Sequence, residues 1–379
     1  MTSLGVEHEL LRESVRAFAE REVVPYLEDW ERAGEVPREL HRKAAEAGLL
    51  AVGFPEEVGG GGGDFLHSLV VTEELIQSGA SSGLCAALFT HGIALPHIVA
   101  AGDPRQIDRF VRSTLAGETI AALAVTEPGA GSDVAAIGTT ARRDGDMYVV
   151  NGSKTYITSG VRADFVTTAV RTGGPGHGGI SLLVLEKEMP GFRVSRRLEK
   201  MGWLCSDTAE LSFSDVRVPA ENLVGDEGGG FVQLMRHFAS ERLGMAVQAY
   251  ATAQRCLDLS VEWTKARQAF GRPLAQSQVV RHRLAEMATR TDVAREYVRS
   301  VALRCVAGED VTREAAMAKN AAVAACQWVV HQAVQLHGGL GYMRGVEVER
   351  HYRDARILAI GGGATEVLND LIAARLGLD

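Results

Sequence analysis

The spacing of apolar and polar residues changes period twice along the chain. Over residues 1 to about 119, Leu11, Val15 and Phe18 recur at i, i+4 and i+7, which places them on one face of a helix. A second helix is predicted over "PRELHRKAAEAG" (37–48), with a proline at its start and a glycine at its stop. "EEVGGGGGDF" reads as a loop by composition. From about 120 to 226 the apolar runs become short and β-branched. "MYVVNG", "ADFVTTAVRT", "GISLLVLEKE" and "AELSFSDVRVP" read as strands, and Asp144-Gly145 signals a hairpin. "GGPGHGG" (173–179) reads as a flexible connection. From about 227 the helical period returns, with Leu243, Val247, Tyr250, Leu257 and Val261 on one face. The alanine-rich stretch from Thr312 to His337 is one long helix, and Gly338 stands where a helix C-terminus is capped. The expected architecture is therefore α+β. An N-terminal helical domain (1–119) and a C-terminal helical domain (227–379) flank a middle β domain (120–226).

Charge and cysteine content narrow the function classes. The 379 residues carry a net charge of -8 and no basic cluster, which argues against nucleic-acid or anionic-membrane partners. Cys85, Cys205, Cys256, Cys305 and Cys326 are scattered, odd in number and form no C-x-x-C pair. A disulfide framework or cysteine-ligated zinc is not expected, and the thiols read as buried and reduced. His91, His97, His237, His331, His337 and His351 show no metal-ligand spacing, so no metal is expected. The first residues, "MTSLGVEHELLRESV", lack a signal-peptide core, and no apolar run reaches membrane-spanning length. A cytoplasmic protein is the expectation.

Chemistry concentrates in a few motifs. "AVTEPGAGSD" (124–133) opens the β region, with glycines for close backbone approach and hydroxyls at Thr126 and Ser132. By itself it could equally be a polar turn between strands. It is neither a G-x-G-x-x-G nor a P-loop, so nicotinamide and nucleoside triphosphate are not indicated. "AIGGGATEV" (359–367) places Gly361, Gly362 and Gly363 between two helical segments. Such a run is either a bare helix break or a place where backbone approaches a ligand.

Taken together, "AVTEPGAGSD", "NGSKTYITSG", "MGWLCSDTAELSFSDVRVP", "ARQAFGRPLAQSQ", "QLHGGLGYMR" and "ERHYRDARIL" resemble the acyl-CoA dehydrogenase family, in the family's order and over nearly the whole chain. The resemblance implies a helical–β–helical fold whose last domain is a four-helix bundle and whose middle domain is barrel-like. It also implies bound FAD and a homotetramer built as a dimer of dimers. By motif position, Ala124, Val125, Thr126, Gly131 and Ser132 lie by the flavin and the thioester arm. Tyr156, Ile157 and Thr158 match a W-I-T triplet beside the flavin, with tyrosine replacing the usual tryptophan and offering a smaller face. Arg267, Phe270 and Gln278 match the segment that holds pyrophosphate and adenine, where a planar guanidinium suits phosphate. Gln335, Gly338 and Gly339 match a segment that reaches the FAD of a neighbouring subunit. Thr365 and Glu366 complete the implied cofactor contacts.

The reaction implied is α,β-dehydrogenation of an acyl-CoA thioester to the trans-2-enoyl-CoA, with electrons passed to an electron-transfer flavoprotein. It needs a carboxylate to take the α proton and donors to hold the thioester oxygen. Many members carry Y-E-G-T in the C-terminal loop, with the glutamate as base. Here Gly361 and Gly362 stand at tyrosine and glutamate, and the base is missing from that position. In the isovaleryl and long-chain branches the base lies in a Glu-Arg pair on the helix after the β domain. Glu241-Arg242 matches that pair, so Glu241 is the expected catalytic base; the plain alternative is a capping or surface glutamate. Arg242, Ser132, Gly362 and Gly363 are the expected substrate contacts, with the Gly362 N–H still donating to the thioester oxygen. Loss of the Tyr-Glu pair also suggests cleared volume by the α carbon and room for branched acyl groups. The small residues Ser81, Ser82 and Gly83 suit either a deep acyl pocket or close helix packing.

Other functions fit the same motifs. The acyl group could sit on a carrier protein in place of coenzyme A. A flavin-dependent monooxygenase on the same fold would need no thioester base, and Glu241 argues against it. A non-enzymatic interaction protein would have no use for intact FAD motifs.

Overall fold

The computed structural model describes residues 5–378. The N-terminal part contains α1 (Val6–Phe18), α2 (Leu27–Ala33), α3 (Arg38–Glu46), α4 (Phe65–Gln77) and α5 (Ser82–Leu88), followed by short helical turns. α1 buries Val15 and Phe18, as their spacing predicts, with Leu11 partly buried on the same core. α3 follows Pro37 and stops before Gly48, whose φ of +74° lets the chain turn left-handed. After the glycine-rich loop, Asp64 caps α4 by accepting the Leu66 N–H at 2.8 Å.

The middle region holds β1 (Ala121–Ala124), β2 (Thr140–Asp144), β3 (Met147–Thr158), β4 (Phe165–Arg171), β5 (Ile180–Glu186), β6 (Phe192–Arg197) and β7 (Thr208–Pro219). They form one curled sheet in the order β1-β4-β2-β3-β7-β6, with β5 on the other side of β4. β2 and β3 make the hairpin signalled by Asp144-Gly145, with Asp144 opposite Met147. β6 has no counterpart in the sequence reading. It pairs only with β7 and exposes Arg193 and Arg196, so it carries no apolar run to betray it.

The last part is built on three long helices: α6 (Gly230–Ala266), α7 (Gln278–Val306) and α8 (Thr312–His337). They are followed by α9 (Glu347–Ala355) and α10 (Thr365–Arg375), both packed on α8. α8 runs over the residues the alanine-rich stretch predicts, and Gly338 ends it at a φ of +63°. Among the described residues, no single helix is long and apolar enough to cross a membrane.

One core is shared by the N- and C-terminal helices, a second lies between the N-terminal helical turns, the sheet and the start of α6, and a third lies within the sheet. A buried ion pair ties these parts together. Arg162 Nε donates to Asp207 at 2.6 Å, and its other nitrogens donate to the carbonyls of Val36 and Ala87 in the helical part. The small residues near α5 serve close packing. A Cβ placed on Gly83 would meet Trp203 Cα at 2.9 Å, and the Trp203 indole donates to Ser82 Oγ at 2.9 Å.

Candidate active site

α6 crosses from the second core, where Phe238 packs, to the first, which Leu243 enters. Glu241 lies at that crossing and keeps part of its surface open. Burial pushes its carboxyl pKa up, against the pull of the Arg242 and Lys319 cations. Opposite it is the glycine loop between Ile360 and α10. Gly362 and Gly363 there have φ of +61° and +98°, a region glycine enters at no steric penalty. Arg242 Nε lies 3.4 Å from the Gly362 carbonyl, and its guanidinium sits over the Phe238 ring. A Cβ on Gly362 would come 3.5 Å from Glu241 Oε1, so the two candidate positions for a carboxylate share one space. The volume that a side chain at 362 would need is not empty. Met245, one turn beyond Glu241, puts its sulfur 2.5 Å from that Cβ. The expectation of cleared volume is corrected at this point: the Met245 side chain stands where a Cβ at 362 would lie.

The β motifs come together at one rim of the sheet. Thr155 N donates to the Thr126 carbonyl at 2.9 Å, joining the loop after β1 to β3. Beneath this contact Lys154 is fully buried and donates to Val125 O at 2.9 Å and Glu127 at 2.7 Å. Burial lowers its pKa to about 8, against the pull of the Glu127 carboxylate. Glu127 also accepts the N–H groups of Gly138 (2.6 Å) and Thr139 (2.9 Å), so the pair shapes the whole "TEPGAGSD" loop. Ala124 is buried, Val125 and Thr126 are half-buried, and Gly131 and Ser132 are exposed at the loop's edge. The β3–β7 register shifts between Lys154 and Ile157. This irregularity turns Tyr156 outward at a φ of +59°, while Ile157 stays buried and Thr158 half-buried.

Arg267 and Phe270 lie on the turn between α6 and α7 and Gln278 opens α7, all three exposed. Phe270 also has a left-handed φ, +51°, and stands wholly in solvent. Arg267 lies over Trp263, whose indole stacks on His337 and donates to Leu336 O at 3.1 Å. The exposed Gln335, Gly338 and Gly339 therefore belong to the same end of the helical bundle. Thr365 and Glu366 start α10 beside the glycine loop, where Asn320 reaches the Thr365 carbonyl. Among the described residues, no hydrogen bond, ion pair or aromatic contact joins the Tyr156 rim to the Arg267 group within one chain.

Three family models span the chain: the acyl-CoA dehydrogenase N-terminal domain over residues 6–118, its middle domain over 122–216 and its C-terminal domain over 228–377. The chain belongs to the acyl-CoA dehydrogenase family. It is 40% identical over 393 residues to the mitochondrial long-chain specific acyl-CoA dehydrogenase of Rattus norvegicus, across 100% of this chain and 90% of that one. A probable acyl-CoA dehydrogenase from Mycobacterium abscessus has the same fold at a TM-score of 0.98, with 63% identity over 98% of this chain and 99% of that one. A chain in a solved structure of the electron transferring flavoprotein of Acidaminococcus fermentans matches at a TM-score of 0.94 with 35% identity, over 100% of both chains.

As an acyl-CoA dehydrogenase the protein is an FAD-dependent oxidoreductase. The exposed groups fit that cofactor. Tyr156 and Phe270 hold aromatic faces out of the protein on a left-handed backbone, and each can be covered by a flat ring system. Among the described residues Arg267 makes no ion pair, which leaves its planar fork of donors for a phosphate. Sequence reasoning missed Lys319, Met245 and the Lys154–Glu127 pair. Lys154 and Glu127 lie inside the motifs "NGSKTYITSG" and "AVTEPGAGSD", and Lys319 left a weaker trace as a lone lysine within the alanine-rich run "AAMAKNAA".

Proposed function

We propose that this acyl-CoA dehydrogenase oxidises an acyl-CoA thioester to its trans-2-enoyl-CoA, with Glu241 as the base. The observation that carries the reading is one half-buried carboxylate facing a glycine loop whose own position for a base is bare. An α proton beside a thioester is only weakly acidic, so the base must be strong and the carbonyl oxygen must be stabilised as charge grows on it. Burial makes Glu241 a stronger base than a solvated glutamate. The Gly362 N–H, which has no acceptor among the described residues, is a donor for the thioester oxygen. Bound FAD supplies the acceptor for the β hydrogen, taken as hydride. Tyr156, Ile157, Thr158 and the loop with Thr126 and Ser132 would hold the flavin end. Arg267, Phe270 and Gln278, with Gln335, Gly338 and Gly339, would hold the phosphates and adenine.

The acyl-CoA reading is supported by the likeness to long-chain specific acyl-CoA dehydrogenase, and the electron-transfer flavoprotein partner by the Acidaminococcus relative. Anaerobic addition of straight, branched and carrier-linked acyl thioesters tests the reaction. Straight-chain acyl-CoA is expected to bleach the yellow protein within seconds, and an added electron-transfer flavoprotein to restore the colour faster than oxygen does. Bleaching by carrier-linked thioesters alone, or by a flavin reductase alone, overturns the assignment.

The segment "QLHGGLGYMR", which resembles the family's segment that reaches the FAD of a neighbouring subunit, supports a shared cofactor site between subunits and, with the family resemblance, a homotetramer. Sedimentation of the FAD-loaded protein should show tetramers, or dimers at the lowest concentrations. A monomer that retains its full flavin sinks this reading.

A further inference from the structure

Around Gly362, three consecutive carbonyls are held by two cations. Lys319 Nζ donates to Gly361 O at 2.5 Å and to Gly363 O at 2.6 Å, while Arg242 Nε reaches Gly362 O at 3.4 Å. Lys319 rises from the first third of α8 and is 1% exposed. Its neighbour Asn320 donates to Asn369 at 2.9 Å and reaches the Thr365 carbonyl at 3.4 Å, so α8 holds both the loop and the helix that follows it. Upstream, the Gly361 N–H is bound to Ile357 O at 2.9 Å. With these carbonyls bound and Gly361 anchored, the Gly362 peptide plane has little freedom to rotate. The N–H groups of Gly362 and Gly363 find no acceptor among the described residues.

A lysine is an expensive way to fill this space. A buried ammonium loses its hydration, and an apolar side chain of similar length would pack with less penalty. Nor is Lys319 simply the partner of Glu241, since no hydrogen bond joins the two and both short bonds go to the loop. A loop of three glycines has the widest conformational freedom of any sequence, and a donor amide acts well only when it is fixed before charge develops. An outside clamp supplies what the glycines cannot.

We infer that Lys319 is a positioning residue of the reaction: by holding the carbonyls of Gly361 and Gly363 it fixes the Gly362 N–H as a donor to the thioester oxygen. The inference rests on the function proposed above, but it concerns carbonyl polarisation and not proton removal. Burial brings the Lys319 pKa down to about 8, and the charged groups acting on it are Glu241, which raises it, and Arg242, which lowers it. Both stand on α6, and the loop offers only carbonyls. At neutral pH the ammonium is charged and its hydrogen bonds are of the stronger, charge-assisted kind. Above pH of about 8 they weaken to those of a neutral amine.

The test uses the FAD-loaded protein and [1-13C]trans-2-octenoyl-CoA, a product-type thioester that needs no base to bind. Isotope-edited infrared spectra read the thioester carbonyl stretch, which moves to lower wavenumber when a fixed donor polarises it. The parent should show this shift at pH 7 and lose part of it as pH rises through about 8. Lys319→Met should lose most of it. The same variant should lose about tenfold to a hundredfold in kcat, below the 10²–10³ of an oxyanion donor removed outright, because here the donor is only loosened. Its KM should stay within about threefold, since the loop's side-chain-free surface is unchanged. Lys319→Arg should recover part of the shift and keep it at pH 9.5. A full shift and parent kcat in Lys319→Met overturn the inference. If that variant does not load FAD, a parent shift unchanged between pH 7 and 9.5 overturns it instead. Glu241→Gln separates the two readings: a parent rate there defeats the base assignment while leaving the carbonyl result to stand or fall by itself.

Discussion

Glu241→Gln is expected to bind FAD and acyl-CoA normally and to bleach roughly 10²–10⁴-fold more slowly than the parent, the usual contribution of a positioned general base. The amide keeps the shape of the carboxylate, and Arg242 stays bound to the loop through Gly362 O and not through residue 241. Loss of basicity is therefore the main change. Burial favours the neutral acid, which raises the Glu241 pKa. Because the base works only when ionised, the parent rate should fall as pH drops through a value above the ordinary 4.5 of a glutamate. Stopped-flow bleaching across pH reads both effects. A folded, flavin-loaded Glu241→Gln that bleaches at the parent rate removes Glu241 from the mechanism and strengthens the monooxygenase alternative.

Moving the carboxylate to the loop should fail unless Met245 is cut back. A side chain at 362 would meet the Met245 sulfur at 2.5 Å and would have to adopt a φ of +61°. For an L-residue the left-handed region alone costs about 1–2 kcal/mol. The double variant Glu241→Gln/Gly362→Glu should thus stay close to the single variant in rate. Adding Met245→Ala removes the sulfur and opens the space between α6 and the loop. The triple variant is expected to bleach at least about tenfold faster than the double, the order of magnitude a partly positioned base provides. Equal rates for the double and the triple would show that Met245 is not the obstacle.

The sequence carries much of the architecture because its period changes are large. The strand runs, the α8 boundaries and the Asp144-Gly145 hairpin are all local signals, set by side-chain spacing and by glycine. β6 was hidden because an edge strand with arginines facing water needs no apolar alternation. The proposed base, Glu241, was legible only through the family resemblance, since one Glu-Arg pair on a helix has no local mark of chemistry. Lys319 and Met245 were beyond reach for a different reason. A glycine in a sequence announces a missing side chain and says nothing about which distant residue enters its space. Lys319 meets the loop across 42 residues, and only the packing of α8, α6 and the loop brings the contact about.

In the proposed flavin site FAD covers the exposed rings of Tyr156 and Phe270, and vitamin supply then becomes a factor in the abundance of this enzyme. Without flavin, both rings stay in water. A cofactor that covers them binds the folded chain and not the unfolded one. At free FAD 100 times its dissociation constant, that difference adds about 2.7 kcal/mol of stability. A gain of this size changes the unfolded fraction that proteases see by about a hundredfold. A cell short of riboflavin would thus hold fewer molecules of this protein as well as emptier ones.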